Sequence, residues 1–444
     1  MIAERAAASF CVAARRGSKL PERRFYGWTM LAALWGVMFL NLGFPAYGPA
    51  VINAAMAKAL GLHRETLGNM FSVYMIMSGL PGPLVALSVN RFGVRRTLTL
   101  GSGFIVIGAV LMATVVTGGL GAMLCFGLLV GTGVATGAAL ASQAGLARWF
   151  IRRRSLALSV LYSAGAIGGF VAAPLLNRLI QASGTWRAGW WLLAALSVLA
   201  ACIALIFVRE RPEDVGQAAD GFGSAPIDGR PRADTRPPFV TRREWSFRDA
   251  VRNPTYWVLL VSLIGTSGGY TLFLAHGVVH LQDLGHSAGV GAWAVGTMTV
   301  TGLIGKVILA ALGDRIDPRY IFALFMAVFS VGLLLIVDAR ATWQVFSFAT
   351  CFGIGFGGGL VCFMSVLSNY YGTLAFASLA GLAVAINTTM SAIAPKVAGH
   401  LFDQGVGYAA TFYFLAAWGF ISAVVLIFVR RPDEAVTGTV TAGT

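Results

Sequence analysis

A single lysine lies in the middle of an apolar stretch of helical length. Lys306 stands between Thr301-Gly-Leu-Ile-Gly and Val-Ile-Leu-Ala-Ala-Leu312, and the first acidic residue after it, Asp314, is eight positions away. Eight helical residues span about 12 Å, which is too far for an ion pair. Because burying an unpaired ammonium group costs several kcal/mol, three states are open to Lys306: a neutral amine, a charge in cavity water, or a charge that awaits an anion.

The acidic residues offer no internal partner for this lysine. All 18 Asp and Glu residues fall in predicted tails, in loops or at the ends of apolar runs. Ionisable residues inside membrane segments tend to mark substrate or ion pathways. A substrate-binding lysine is therefore favoured over one that sits neutral or snorkels between helices, and the missing counter-ion is then the substrate.

A second lysine and five uncharged polar residues are further candidates for the binding site. Lys396 precedes Asp403 by seven residues, which is equally compatible with a substrate contact and with a side chain that snorkels to the membrane rim. The uncharged candidates fall within apolar runs: Asn41, Tyr47, Tyr74, Tyr270 and Asn387. Each of them could instead form a hydrogen bond between two packed helices.

The composition of the chain is that of an integral membrane protein. Of its 444 residues, 57% are hydrophobic and 11% are charged, whereas about a quarter of the residues of a soluble domain are charged. The sequence contains twelve apolar runs of about 20 residues, the length that spans a bilayer. In hydrocarbon such runs can only be helices, because every backbone polar group must be satisfied within its own segment. The predicted fold is all-α, with twelve transmembrane helices.

One long polar segment divides the apolar runs six and six. Residues 209–253 are rich in Pro and Gly and predict a cytoplasmic linker. The domain prediction is a cytoplasmic tail over 1–26, a six-helix bundle over 27–208, this linker, a second six-helix bundle over 254–430 and a cytoplasmic tail over 431–444. The end of the linker, Glu244–Arg252, has helical spacing and two aromatic residues, and predicts a helix along the membrane interface.

The basic charge is distributed asymmetrically. The net charge is +15, and of the 33 Lys and Arg residues 26 fall on one side of the predicted helices, five on the other, and two, Lys306 and Lys396, within them. Lys and Arg concentrate on the cytoplasmic side of membrane proteins. Both termini are therefore predicted in the cytoplasm, and the chain in the cell inner (plasma) membrane. The bilayer accounts for the charge, and nucleic acid is not an expected partner.

Motifs for catalysis or for a cofactor are missing from the sequence. It has no His-Glu-x-x-His, and its five cysteines have no paired spacing. His276 and His280 share a helix face, but no third metal ligand is evident near them, so a structural or gating role is favoured. Gly-rich stretches at 131–137 and 353–359 lie inside apolar runs and are typical of close helix packing. We therefore expect neither an enzyme nor a bound metal or cofactor.

The two halves carry matching loop sequences. Ala86-Leu-Ser-Val-Asn-Arg-Phe-Gly-Val-Arg-Arg96 follows the second run and Ala310-Ala-Leu-Gly-Asp-Arg-Ile-Asp-Pro-Arg319 follows the eighth, as in a duplicated bundle around a central cavity. The arrangement resembles the major facilitator superfamily, whose signature in this loop is Gly-x-Leu-Ala-Asp-Arg-x-Gly-Arg-Arg. The resemblance implies an inner gate formed by Asn90, Arg91, Arg95, Arg148, Asp314 and Arg315. Asn90 replaces the family's Asp, which weakens the implied ion pairing in the first half.

Three stretches resemble, more narrowly, the monocarboxylate transporter and oxalate/formate antiporter group. They are Arg23-Arg-Phe-Tyr-Gly-Trp28, Ala147-Arg-Trp-Phe-Ile-Arg-Arg-Arg-Ser-Leu-Ala157 and Pro395-Lys-Val-Ala-Gly-His-Leu-Phe-Asp403. In that group the eighth helix presents an Arg to the substrate carboxylate, and Lys306 occupies the matching position. Lys396 matches a lysine that oxalate carriers add on the eleventh helix. Two departures stand out: Lys lacks the bidentate geometry of Arg, and Gly302 stands where proton-coupled animal members carry Asp.

The predicted function is secondary active transport of a small organic anion, a mono- or dicarboxylate, by alternating access. Lys306 is its predicted counter-charge, and a co-transported proton or an exchanged anion is the expected coupling partner. The alternative is a major facilitator efflux pump for drugs or other lipophilic compounds. Pumps for lipophilic cations usually have an internal carboxylate, and the sequence predicts none, so the anion carrier is favoured.

Overall fold

The structure is a computed structural model that describes residues 25–150, 153–219, 241, 245–313 and 315–432, and the regular elements within these ranges are helical. Twelve helices cross the molecule. They are α1 (Gly27–Leu60), α2 (Arg64–Gly79 with Gly82–Phe92), α3 (Val94–Thr114), α4 (Gly119–Trp149), α5 (Arg154–Ser183), α6 (Arg187–Phe207), α7 (Pro254–Asp283), α8 (Ala288–Leu312), α9 (Pro318–Val337), α10 (Thr342–Gly372), α11 (Ser378–Asp403) and α12 (Ala409–Phe428).

Within the described residues, eleven of these helices are long and apolar enough to cross a membrane on their own. The remaining one, α2, is bent by 43° between its two segments. Pro81 lies at the bend and has no N–H to donate to the preceding turn, which breaks the helical hydrogen-bond pattern there.

The helices form two groups of six. In the first group α3 packs against α6 and α4; in the second, α10 packs against α8 and α9, and α9 against α12. Because the helices cross in alternating directions, Gly93 and Arg430 lie at one end of the bundle, termed the terminal face. Gly61 and Gly285 lie at the opposite end, termed the distal face. The prediction of an all-α membrane fold with twelve helices in two six-helix halves is confirmed.

Glycine pairs bring helix backbones into direct contact within each half. A Cβ at Gly357 of α10 would lie 2.6 Å from the Cα of Gly302 on α8, and one at Gly305 would lie 2.7 Å from the backbone nitrogen of Gly358. Gly137 of α4 abuts the backbone of α3 in the same way. Both Gly-rich stretches therefore serve helix packing, at equivalent places in the two halves.

The two halves touch near the distal face. α5 packs along α8, and the first segment of α2 packs along α11. A Cβ at Gly169 of α5 would lie 2.7 Å from the methyl carbon of Thr299 on α8, and one at Gly68 of α2 would lie 2.8 Å from the carbonyl carbon of Pro395 on α11. Toward the terminal face, the end segments of α2 and α4 pack against helices of their own half. The halves are thus joined distally and diverge toward the terminal face.

The described part of the linker is attached to the C-terminal half. The backbone N–H of Thr241 donates to the Asn369 carbonyl at 2.7 Å, and Trp245 is buried against Tyr371 of α10. The short helix Phe247–Arg252 follows, within the segment predicted to be helical. Residues 1–24, 151–152, 220–240, 242–244, 314 and 433–444 lie outside the described residues, and the predicted domain boundaries and interface location stay predictions.

Two glycines of α3 that lie two residues apart test the packing. A Cβ at Gly101 would collide with the Gly137 backbone, whereas one at Gly103 has nothing within 4 Å. We expect Gly101→Ala to destabilise the protein by about 1–3 kcal/mol, because a rigid backbone contact cannot accommodate the added methyl group. Gly103→Ala is the matched control and should match or slightly exceed the wild type, since Ala favours helix over Gly. Thermal unfolding of the purified protein in detergent measures both, and equal melting temperatures for the two variants would contradict the described packing.

Candidate functional site

Lys306 lies on the side of α8 that faces the N-terminal half. Thr299 touches α5 through Gly169, and Lys306 follows it by seven residues, nearly two full turns, so both side chains leave α8 in a similar direction. The buried residues Ala292 and Val295 lie on the same stripe. Lys306 itself is half-buried, and within the described part of the chain no hydrogen bond or ion pair involves its ammonium group. The structure therefore places Lys306, with no acidic partner among the described residues, on the side of α8 that faces the other half.

The three predicted tyrosines meet at the interface of the halves. The rings of Tyr47 and Tyr270 contact edge to face with centroids 6.3 Å apart, and Tyr270 stacks on Phe356 at 4.1 Å. Tyr74 is buried, stacks on Phe126, and lines with Tyr270 a cavity of about 210 Å³. A Cβ at Gly169 would meet both Tyr47 and Thr299, so this aromatic cluster lies on the distal side of Lys306.

The other predicted binding residues lie elsewhere. Asn41 is fully buried, and its amide donates to Ser102 at 2.8 Å and to the Gly137 carbonyl at 3.1 Å, a contact that favours the helix-packing alternative. Asn387 is half-buried on α11, and its side-chain oxygen has no hydrogen-bond partner among the described residues. Lys396 is exposed in the distal part of α11, as expected of the rim alternative.

At the terminal face of the first half, the structure joins Arg148 to a residue that the sequence did not single out. The Arg148 guanidinium pairs with Glu210 at 3.2 Å. The same carboxylate accepts the backbone N–H groups of Val94 and Arg95 at 2.8 and 2.9 Å and so caps the start of α3. The side chains of the other predicted gate residues of this half, Asn90, Arg91 and Arg95, are exposed.

The second half carries the corresponding cluster with its charges exchanged. Asp317 is buried before α9 and accepts hydrogen bonds from Tyr370 at 3.0 Å and from Arg431 at 3.3 Å, beside Arg319 at 3.4 Å. Asp314 lies outside the described residues, and Arg315 is exposed. A repeat does mark both clusters in the sequence: Ile206-Phe-Val-Arg-Glu-Arg-Pro212 and Ile427-Phe-Val-Arg-Arg-Pro432 end the two halves and supply Glu210 and Arg431.

A polar cluster at the distal face ties the halves together. Arg64 at the start of α2 pairs with Asp283 at the end of α7 at 2.9 Å. The Asp403 carboxylate at the end of α11 accepts the backbone N–H groups of Arg64 and Glu65 at 3.2 and 2.9 Å, and His400 bonds to Glu65 at 3.1 Å. One half thus caps a helix of the other. We term Arg64, Glu65, Asp283, His400 and Asp403 the distal latch.

The histidines of α7 are buried structural residues beneath this latch. His276 bonds to the Pro395 carbonyl at 2.9 Å and to the Tyr408 hydroxyl at 3.1 Å, and His280 bonds to the Ile336 carbonyl at 3.0 Å. Both ring nitrogens of His276 and the Nε2 of His280 are thereby engaged by backbone and hydroxyl groups. Among the described residues no group of three or more potential metal ligands occurs.

The family of the chain follows from comparison with known proteins. The sequence model of the Major Facilitator Superfamily, a protein family, matches residues 33–291 and 277–443 of this chain, which together cover most of the sequence. The chain belongs to the major facilitator superfamily. It is a transporter and not an enzyme, and its multi-pass membrane character agrees with the apolar helices.

Relatives within the superfamily include several monocarboxylate transporters. The chain is 27% identical to monocarboxylate transporter 13 of Bos taurus, over 76% of this chain and 74% of that protein. It is 25% identical to monocarboxylate transporter 4 of Mus musculus, over 93% and 84%, and 22% identical to the gentisate transporter of Corynebacterium glutamicum, over 89% and 85%. The predicted relation to the monocarboxylate transporters is confirmed.

Solved structures share the fold. The nucleoside transporter NupG superposes with a TM-score of 0.70 at 12% identity, covering 90% of this chain and 99% of that one. A D-xylose–proton symporter superposes with a TM-score of 0.65 at 16% identity, covering 91% and 98%. At these identities the likeness concerns architecture alone.

The distal latch predicts that removing the Asp403 carboxylate loosens the contact between the halves. Ser72 of α2 is buried there and donates to the Ala392 carbonyl, so a cysteine at this position reports opening. In a variant without the native cysteines that carries Ser72→Cys, we expect Asp403→Ala to speed maleimide labelling in detergent about three- to tenfold, because lost helix caps cost about 0.5–2 kcal/mol.

Asp338→Ala is the matched control for this measurement. Asp338 is exposed at the same face and pairs with Arg340 inside its own half, so its removal should leave the labelling rate unchanged. Equal rates in the Asp403→Ala and Asp338→Ala variants would show that the latch does not hold the halves closed.

Proposed function

We propose that the chain is a secondary active transporter of a small organic anion, a mono- or dicarboxylate, and that Lys306 is the counter-charge of the bound substrate. The observation that carries the proposal is the position of Lys306: it faces the opposite half, part-way along α8, with no acidic partner among the described residues. The relatives named for monocarboxylate and gentisate transport support an anionic substrate.

An uncompensated ammonium group makes the empty carrier and the loaded carrier electrically different. Burying an unpaired charge in a bilayer is costly, whereas a bound carboxylate neutralises Lys306. Closing the cavity around the loaded site is therefore easier than closing it around the empty one. This bias supports exchange of one anion for another, or entry of a proton with the substrate.

In this proposal, coupling of substrate transport to a proton does not require an acidic residue on α8. Gly302 stands one turn before Lys306 and packs against the backbone of α10, where a Cβ would lie 3.4 Å from the Gly353 carbonyl oxygen. A proton that accompanies the substrate would then travel on the substrate or in cavity water.

In the proposed alternating-access cycle, the observed arrangement is one of the two open states. The halves are joined at the distal face by the latch and diverge at the terminal face, where both ends of the described chain lie. Taken with the predicted cytoplasmic location of both termini, this arrangement is the inward-facing state. Tyr47, Tyr74 and Tyr270 then separate the Lys306 site from the distal side.

Transport assays with charge variants test the proposal. Purified protein in proteoliposomes is given labelled lactate, pyruvate, oxalate, malonate and gentisate in turn. For any acid that the wild type transports, we expect Lys306→Gln to lower uptake at least about tenfold, because a charge-assisted hydrogen bond contributes roughly 1.5–3 kcal/mol. Lys306→Arg keeps the charge and should retain measurable uptake.

Lys58→Gln is the matched control, since Lys58 is an exposed lysine near the distal face. Its uptake should equal that of the wild type. Undiminished uptake in folded Lys306→Gln protein would remove Lys306 as counter-charge and with it the main support for an anionic substrate.

A further inference from the structure

We infer that Tyr162 of α5, oriented by Gln143 of α4, is the ligand that the N-terminal half presents to the same anion as Lys306. The inference rests on the proposed function and adds a second binding residue to it. Neither Tyr162 nor Gln143 belongs to the binding residues that the sequence predicted.

The depth of Tyr162 follows from the contact between α5 and α8. Gly169 and Thr299 meet where these helices cross, and the two helices run in opposite directions, α5 toward the distal face and α8 away from it. Tyr162 precedes Gly169 by seven residues, and Lys306 follows Thr299 by seven. Each therefore lies about 10 Å from the crossing toward the terminal face. The two side chains stand at the same depth on opposite walls of the space between the halves.

The direction of Tyr162 follows from the helical register of α5. At about 100° per residue, Tyr162 lies close to the direction of Gly169, which faces α8. Exposed apolar residues of the same helix, Val160, Ile167 and Val171, point roughly 140–180° away from Tyr162. Tyr162 is 41% exposed although it lies on the side that faces the other half, which indicates that α8 does not cover it at this depth. Its surface therefore borders the space between the halves.

The hydrogen bond to Gln143 leaves the phenol proton available. The Gln143 side-chain N–H donates to the Tyr162 oxygen. A phenol oxygen that accepts in this way can still donate its own O–H, and no acceptor for that hydrogen occurs among the described residues. A carboxylate held by Lys306 offers such an acceptor. Gln143 thus acts as a positioning residue and Tyr162 as a donor to the substrate.

This arrangement gives the anion one ligand from each half. Lys306 supplies a charged donor from α8 and Tyr162 a neutral donor from α5, so a carboxylate that accepts both bonds contacts both halves at once. The ligand class is a carboxylate small enough to bridge the two side chains. A neutral solute would satisfy the phenol but leave the lysine uncompensated.

Kinetic measurements on Tyr162→Phe test the inference. For an acid that the wild type transports, we expect the KM of Tyr162→Phe to rise about tenfold to a hundredfold, since a hydrogen bond to a charged group is lost. The maximal rate should stay within about twofold, because the phenyl ring preserves the helix packing. Tyr413→Phe is the matched control: Tyr413 is exposed on α12, and its substitution should leave KM unchanged.

A double substitution separates the positioning role of Gln143 from a structural one. Gln143→Ala alone should raise KM several-fold, and should add nothing in the Tyr162→Phe background, since it acts through the phenol. A Tyr162→Phe variant with wild-type KM, or one that loses only maximal rate, would overturn the inference. If that result came while Lys306→Gln abolished uptake, only the role of Tyr162 would fail; if Lys306→Gln also transported normally, the proposed function would fail with it.

Discussion

Backbone N–H and C=O groups find no partner in hydrocarbon, and this constraint determines most of the molecule. It forces each apolar run into a helix, and in a bilayer such helices associate mainly by close packing. In this chain the close contacts fall on glycine: Gly302 and Gly305 of α8 lie against Gly357 and Gly358 of α10. That seam fixes the rotation of α8 about its axis, and Lys306 leaves the helix beside the seam, about 40° from Gly302 and about 20° from Thr299, which faces the other half. The position of the one charged group on this helix is thus set by residues that have no side chain.

The clusters at the terminal face have the same structural role in both halves, although the positions of the acidic and basic residues are exchanged. In the first half a carboxylate after α6, Glu210, pairs with Arg148 and caps α3. In the second half an arginine after α12, Arg431, reaches the buried Asp317 beside α9. Both clusters fasten the last helix of a half to the start of the helix that follows the signature loop. Each half is thereby held as a unit, which is the condition for two halves to move against each other.

How much could be predicted from the sequence depended on the range of each interaction. Hydropathy is local, so the twelve helices and their division into two halves could be predicted. Lys306 could be singled out because no acidic residue lies within its apolar run. The choice between a binding role and a packing role for Asn41 could not be made from the sequence, because its hydrogen bond to Ser102 depends on how α1 faces α3. The latch escaped prediction because Arg64 and Asp403 are more than 300 residues apart. Tyr162 was not predicted because its depth relative to Lys306 depends on the contact between Gly169 of α5 and Thr299 of α8, which the sequence does not reveal.

In the proposed alternating-access mechanism, the distal latch opens and closes in every cycle, and its strength suits that role. Arg64 and Asp283 are partly exposed, and such pairs contribute about 0–1 kcal/mol; the caps from Asp403 add about 0.5–2 kcal/mol. A substrate bound with millimolar affinity supplies about 4 kcal/mol, which is comparable with the whole latch. A buried ion pair in its place would leave uncompensated charges on separation, at a cost of about 3–5 kcal/mol. Among the described residues the ion pairs between the halves lie at the rim, whereas Lys306 has no acidic partner. In the proposed mechanism, binding of an anion at Lys306 would therefore set the balance between the two open states.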